Sequence, residues 1–297
     1  MDASKRVQCW GETYILPGSE VPTLPDKVVS AIVNTLHSRV ESSLIEQVRH
    51  KPSWDAYECV LQGIKHVRGY APGDNLRAVE LFQRAVDLDP DYALARAYRA
   101  FADGVLHNYS AAPPDILAAS KALVQQAVEM DPYNPRCHWL LGLILSWCGD
   151  WPGEERAYRR ALELNPGDAN IMATYGMLLA AQGRADEGVA LVREAMRLNP
   201  YHPDWYWVDL GCALYVARRY TDAIEAFLHR SNPGTWVLAR LAACYAQLGQ
   251  MDDAARTVSE VLKLKPNFSI ADHRVGSWKF ADLTHFAEGM RRAGLPD

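Results

Sequence analysis

Apolar residues recur along this chain in short blocks with the three-and-four spacing of a helix face, and turn-forming residues cut the blocks at regular intervals. The blocks close on related segments, AVDLDP, AVEMDP, ALELNP, AMRLNP and VLKLKP. Their prolines are Pro90, Pro132, Pro166, Pro200 and Pro266, with Pro233 before the last, so the intervals are 42, 34, 34, 33 and 33 residues. The pattern predicts an all-α chain of repeated helix pairs over about residues 54–270, nearly three quarters of the length. Before it, Val29, Ile32, Val33, Leu36, Val40, Leu44, Ile45 and Val48 follow helical spacing until Lys51-Pro52. Residues 1–23 break the pattern, with a β-like run (VQCWGETYIL) and then loop residues. A closing helix is predicted from Asp282, stopped by Gly294-Leu-Pro.

Within each pair, small residues fall where two helices must approach closely. Gly142, Gly176, Gly211 and Ala242 mark one such position in the first helices; Ala85, Ala161 and Ala195 mark another in the second. Tyr158 and Phe227 are expected to fill the space opposite, since small against large lets helices interdigitate. Gly149, Gly183 and Gly249 stand between the helices, where positive φ ends the first helix. The residue before each closing proline avoids the helical region and ends the second. Two irregularities are expected. The loop HNYSAAPPD supplies the eight extra residues of the long first interval, and the helix holding Ala223–Phe227 is shortened, ending near Ser231-Asn-Pro233.

A period of 34 residues with these small positions resembles the tetratricopeptide repeat (TPR). The resemblance implies an all-α TPR superhelix, an α-solenoid of about six helix-turn-helix units. Residues 24–53 and 271–297 would then cap it, and residues 1–23 would be an extended arm or the remnant of a preceding α/β domain. Terminal units need such caps because they lack a neighbour. A narrower resemblance rests on Trp10-Gly-Glu-Thr-Tyr14, the helix at 26–49, Asp55–Gly63, Arg77–Ala85, Asn199–Trp205 and Gly289–Pro296. These segments are similar to the C-terminal TPR region of bacterial class III adenylate cyclases and of TPR-bearing winged-helix transcription regulators. No catalytic or DNA-binding position of those proteins carries over to this sequence. The resemblance implies a regulatory module and no cyclase activity.

Net charge of −5 and a pI near 6.0 give no general pull toward nucleic acid or an anionic membrane. The basic pairs Arg159-Arg160, Arg218-Arg219 and Arg291-Arg292 have acidic neighbours, and the acidic pairs Glu154-Glu155 and Asp252-Asp253 are assigned to the dipoles of second helices. With no apolar run of spanning length and no apolar leader, a cytoplasmic protein is expected. Cys137, Cys148, Cys212 and Cys244 are read as small buried thiols. Phosphate-loop, dinucleotide, zinc-protease and nucleophile-elbow motifs are absent, and Cys137-His138 lacks two further ligands. No enzyme, cofactor or metal is expected.

In the tetratricopeptide family, positions 2, 5, 9, 12 and 13 of each unit face a concave groove. Carried over, these are chiefly Arg136, Trp139, Leu143 and Trp147; Asn170 and Met177; Trp205 and Tyr215; and Trp236 and Gln247. The resulting partner-binding groove is apolar and aromatic. Lys is absent from these positions, which argues against an acidic tail as ligand. The expected partner is a protein or peptide segment with apolar anchors. The tryptophans serve either a binding hot spot or packing between units. The other function class is self-association, through the capping helices or the WGETY arm.

Overall fold

In the computed structural model, the residues described are 55–67, 73–107, 109–229, 233–273 and 280–297. The N-terminal arm and the helix expected at 24–53 lie outside them. Thirteen α-helices and two short 3-10 turns make up the described residues, with no strand among them. Six hairpins follow in order. They are α1 (Ala56–His66) with α2 (Asp74–Leu88), α3 (Ala93–Leu106) with α4 (Pro114–Met130), and α5 (Pro135–Trp147) with α6 (Trp151–Leu164). Then come α7 (Ala169–Ala181) with α8 (Ala185–Leu198), α9 (Trp205–Val216) with α10 (Tyr220–Leu228), and α11 (Thr235–Gln247) with α12 (Met251–Leu264). A last helix, α13 (Phe280–Ala293), completes the chain.

The helices begin where the sequence supplies caps. Asp55, Asn134, Asp150 and Asp168 each accept hydrogen bonds from first-turn amides, and Pro135 and Pro152 occupy first-turn positions where an amide hydrogen has no partner to lose. They end at Gly149, Gly183 and Gly249, all with φ between 73° and 84°. The corresponding residue of the fifth unit is Arg218, at φ 62°, so a side chain stands where the other turns use glycine. The loop of the second unit contains a 3-10 turn, Tyr109–Ala111, and α10 has only 9 residues against 14 in α6, α8 and α12.

Four of the hairpins close on a glycine. A Cβ on Gly142 would sit 2.6 Å from the Tyr158 ring, one on Gly211 would sit 2.5 Å from Phe227, and one on Gly63 would sit 2.5 Å from Phe82. The fourth unit does this differently. Gly176 faces Gly188 and Val192, and a Cβ there would lie 2.7 Å from the Gly188 carbonyl oxygen, so α7 and α8 touch backbone to backbone.

First helices of neighbouring units touch one another, α1 with α3, α3 with α5, α7 with α9 and α9 with α11, while each second helix packs on the first helix that follows. Between the third and fourth units side chains join the helices: Trp139 Nε1 of α5 donates to Thr174 Oγ1 of α7 at 2.8 Å, and the Tyr158 ring of α6 stacks on Tyr175 of α7 at 5.1 Å. The apolar core runs the length of the array and passes through α7, eleven of whose thirteen residues are buried. No helix among the described residues is long and apolar enough to cross a membrane.

Candidate partner-binding face

The ten positions assigned to the groove divide sharply by burial. Trp139, Leu143 and Tyr215 are buried, at 7%, 5% and 0% exposure. Trp139 is bonded into the next unit through Thr174, and Tyr215 stacks on Phe286 of α13 at 3.8 Å. These three pack between helices and present nothing to a partner docking on the folded chain. The reason is geometric: where first helices touch, their inward side chains fill the seam, as at Trp139, and at Tyr215 the closing helix covers the face.

Seven positions remain partly exposed: Arg136, Trp147, Asn170, Met177, Trp205, Trp236 and Gln247. Trp147 stacks on Phe101 and meets the edge of Tyr109, both at 5.5 Å, so one face of its ring is used inside the array. Four of the others form a set. Arg136, Asn170, Trp205 and Trp236 occupy the second position of four successive units, at the start of α5, α7, α9 and α11. The repeat places them in a row along one edge of the first-helix face.

The row changes character along its length. At one end Arg136 Nε lies 3.9 Å from Asp168 Oδ2, and Asp168 also caps α7. Asn170 Oδ1 accepts a hydrogen bond from Tyr206 Oη at 3.0 Å. Burial pushes the Tyr206 hydroxyl pKa upward, so it stays protonated and a donor. At the other end the row is aromatic. Trp205 leans on Tyr206 at 4.3 Å, and Trp236 meets Phe268 edge-on at 5.6 Å with Lys265 Nζ 5.6 Å from its ring. Rings held by such contacts present an apolar face at little further cost in side-chain entropy.

Three features departed from the sequence reading. Glu154 was assigned to the α6 dipole, yet it is fully buried between α5, α6 and the end of α7. Gln182 Nε2 donates to its Oε2 at 3.5 Å, while Oε1 has no hydrogen-bond partner, and burial raises the carboxyl pKa to about 8. Glu155, also assigned to the dipole, joins units: Arg159 donates to it at 2.8 Å and Arg184 of the next unit at 3.2 Å. Cys148, expected inside, is exposed, whereas Cys137, Cys212 and Cys244 are buried. Among the described residues no cluster of three metal-ligating side chains occurs.

A family profile described as tetratricopeptide repeat matches residues 149–203 and 208–267. These segments are tetratricopeptide repeats. The matching residues are the last units of the array, and the same hairpin recurs before them. The chain is 28% identical over 151 residues, 50% of its length, to a protein named putative adenylate cyclase 3 from Rhizobium meliloti. It is 26% identical over 161 residues to the transcriptional regulator HilA from Salmonella typhimurium, covering 52% of this chain. The matched stretches span only 26% and 28% of those two proteins. A crystal structure of the APC/C hetero-tetramer Cut9-Hcn1 superposes with a TM-score of 0.60 at 14% identity, covering 89% of this chain and 47% of that one. The fold is an all-α TPR superhelix.

Proposed function

We propose that this TPR array is a non-catalytic regulatory module that binds a segment of another protein along the edge marked by Arg136, Asn170, Trp205 and Trp236. The observation that carries the reading is the recurrence of partly exposed side chains at one position of four successive units, three of them Arg or Trp. Trp and Arg are the residues that most often dominate binding energy at protein interfaces. A ligand lying across the row would meet a polar start at Arg136 and Asn170 and bulky apolar contacts at Trp205 and Trp236. An extended or helical segment with apolar anchors and one polar end fits that order. The relatives named as a cyclase and as a transcription regulator support a place in bacterial signalling or transcription control, in the cytoplasm.

Protein is a better match than nucleic acid, because the chain carries a net charge of −5 and each of the three basic pairs has at least one arginine held by a carboxylate. Arg159 pairs with Glu155, Arg160 with Glu163, Arg219 with Asp222 and Arg291 with Asp297. The test is affinity capture from the source cell extract, followed by titration of the captured protein against Trp205→Ala and Trp236→Ala. Each is expected to weaken binding by about 2 kcal/mol while the array stays folded. Unchanged affinity in both variants overturns the reading.

A further inference from the structure

The closing helix does not continue the line of the array. At the other junctions the next first helix packs on the preceding second helix, but α13 lies chiefly on α11, a first helix, and reaches across to α9. The residues it covers are inward positions of the last two units: Tyr215 on α9, and Ala243 and Gln247 on α11. What α13 brings to them is a single stripe. Phe286 stacks on Tyr215, Met290 is fully buried and Ala293 is 7% exposed. Gly289 crosses where a Cβ would collide with the Tyr215 hydroxyl and sit 3.0 Å from Ala243 Cβ. Glu288, Arg291 and Arg292, on the other side, face solvent. The spacing of 286, 289, 290 and 293 is that of one helix face.

A few polar ties join this helix to the array. Tyr215 Oη donates to the His285 carbonyl oxygen at 3.2 Å, the Tyr220 hydroxyl meets His285 Nε2 at 2.9 Å, and the Ile270 amide donates to the Pro296 carbonyl at 2.9 Å. The contact is one amphipathic helix laid in a mostly apolar trough floored by first helices, with the Tyr215 hydroxyl and the Gln247 amide beneath Gly289. A helix in a groove is a recurrent mode of recognition, read as anchors at i, i+3, i+4 and i+7.

We propose that the inward face of α9 and α11 is a helix-binding site whose resident is α13, exchangeable for an incoming amphipathic helix with the same order: an aromatic residue, a small residue three positions on, then a long apolar residue immediately after it. Trp205 and Trp236 stand at the N-terminal ends of the same two helices whose C-terminal halves floor the trough, so a partner whose helix displaces α13 can engage both if it reaches along α9 and α11. This extends the partner-binding reading, because it names the class of segment and the chain's own competitor for it.

Two measurements on the full chain test it. In hydrogen exchange on the unaltered protein, α13 amides are expected to exchange about 100-fold faster than those of α11, because opening α13 leaves the array intact. In the second, a fluorescent peptide of residues 280–297 is titrated against the Gly289→Leu chain, in which the resident helix no longer fits. The labelled peptide is expected to bind that chain at least about 10-fold more tightly than it binds the unaltered chain, and a peptide carrying the same Gly289→Leu change is expected not to bind. Equal exchange of α13 and α11, or no peptide binding to a Gly289→Leu chain whose α5–α8 amides keep their protection, overturns the proposal. If Gly289→Leu unfolds the array, the exchange measurement alone decides. Either result is independent of the Trp205 and Trp236 titrations, so failure of the row and failure of the trough are told apart.

Discussion

Twelve residues after the small first-helix residue of the last three units stand Gly188, Ala223 and Ala254, all buried against the first helix. In the third unit that place is held by Glu154, with no exposure and one carboxyl oxygen without a partner. Burial penalises its ionised form and moves its pKa from 4.5 to about 8. The native state therefore holds a proton that the unfolded chain releases above its own pKa. Stability is fully present below pH 4.5 and is lost as pH rises toward about 8. At about 1.4 kcal/mol per pH unit, that displacement costs about 5 kcal/mol at high pH, of which about 4 is already expressed at pH 8 and less than about 1 at pH 5. Glu154→Gln keeps the shape and a partner for Gln182 but cannot ionise. Urea unfolding of both proteins, followed by circular dichroism, is expected to show similar midpoints at pH 5. At pH 8 the variant should be more stable by about 4 kcal/mol. A stability difference that is the same at both pH values would refute this account of the carboxyl.

Arg218→Gly should stabilise the chain by about 1 kcal/mol in the same assay, because it removes a side chain from the left-handed turn that Gly149, Gly183 and Gly249 occupy elsewhere. Loss of stability would mean that the Arg218 side chain contributes more than its backbone costs. Gly176→Leu should cost about 3 kcal/mol or more, since its first added carbon meets the backbone of Gly188 and Val192 as well as the Val192 side chain, and α7 and α8 are expected to lose exchange protection first. Trp139→Ala should lower stability by about 3 to 5 kcal/mol with or without a partner, because the ring is buried and its Nε1 bond to Thr174 joins two units. A stable Trp139→Ala chain with weakened partner binding would return that residue to the binding face.

The repeat could be read from sequence because its determinants are local and steric. Gly142, Gly176 and Gly211 each mark a close approach of two helices, whether to an aromatic ring or to backbone, Gly149 and Gly183 mark one kind of turn, and the prolines stop helices whatever surrounds them. The short α10 was legible for the same reason, as a missing stretch within a fixed period. What failed depended on how units lean on one another. Trp139, Leu143 and Tyr215 hold groove positions by number, yet contact between first helices, or α13 lying over them, decides whether such a position is open. The course of α13 was hidden because an amphipathic stripe shows that a helix is covered but not what it covers. Glu154 looked like an ordinary acidic helix start. Its place in the register, shared with Gly188, Ala223 and Ala254, was the signal that could have identified it. Arg218 gave no such signal, since its left-handed backbone appears only when the fifth turn is aligned with the glycines of the others.

The central claim is that a partner lies along the first-helix edge and not on the outer, second-helix side. Site-specific photo-crosslinking tests this directly, with a photoreactive residue at Asn170 in one protein and at Glu260, exposed on α12, in another. In source cells, a discrete protein adduct is expected from position 170 and none from position 260. Adducts to the same protein from position 260 alone, or equally from both, would contradict the assignment of the binding face.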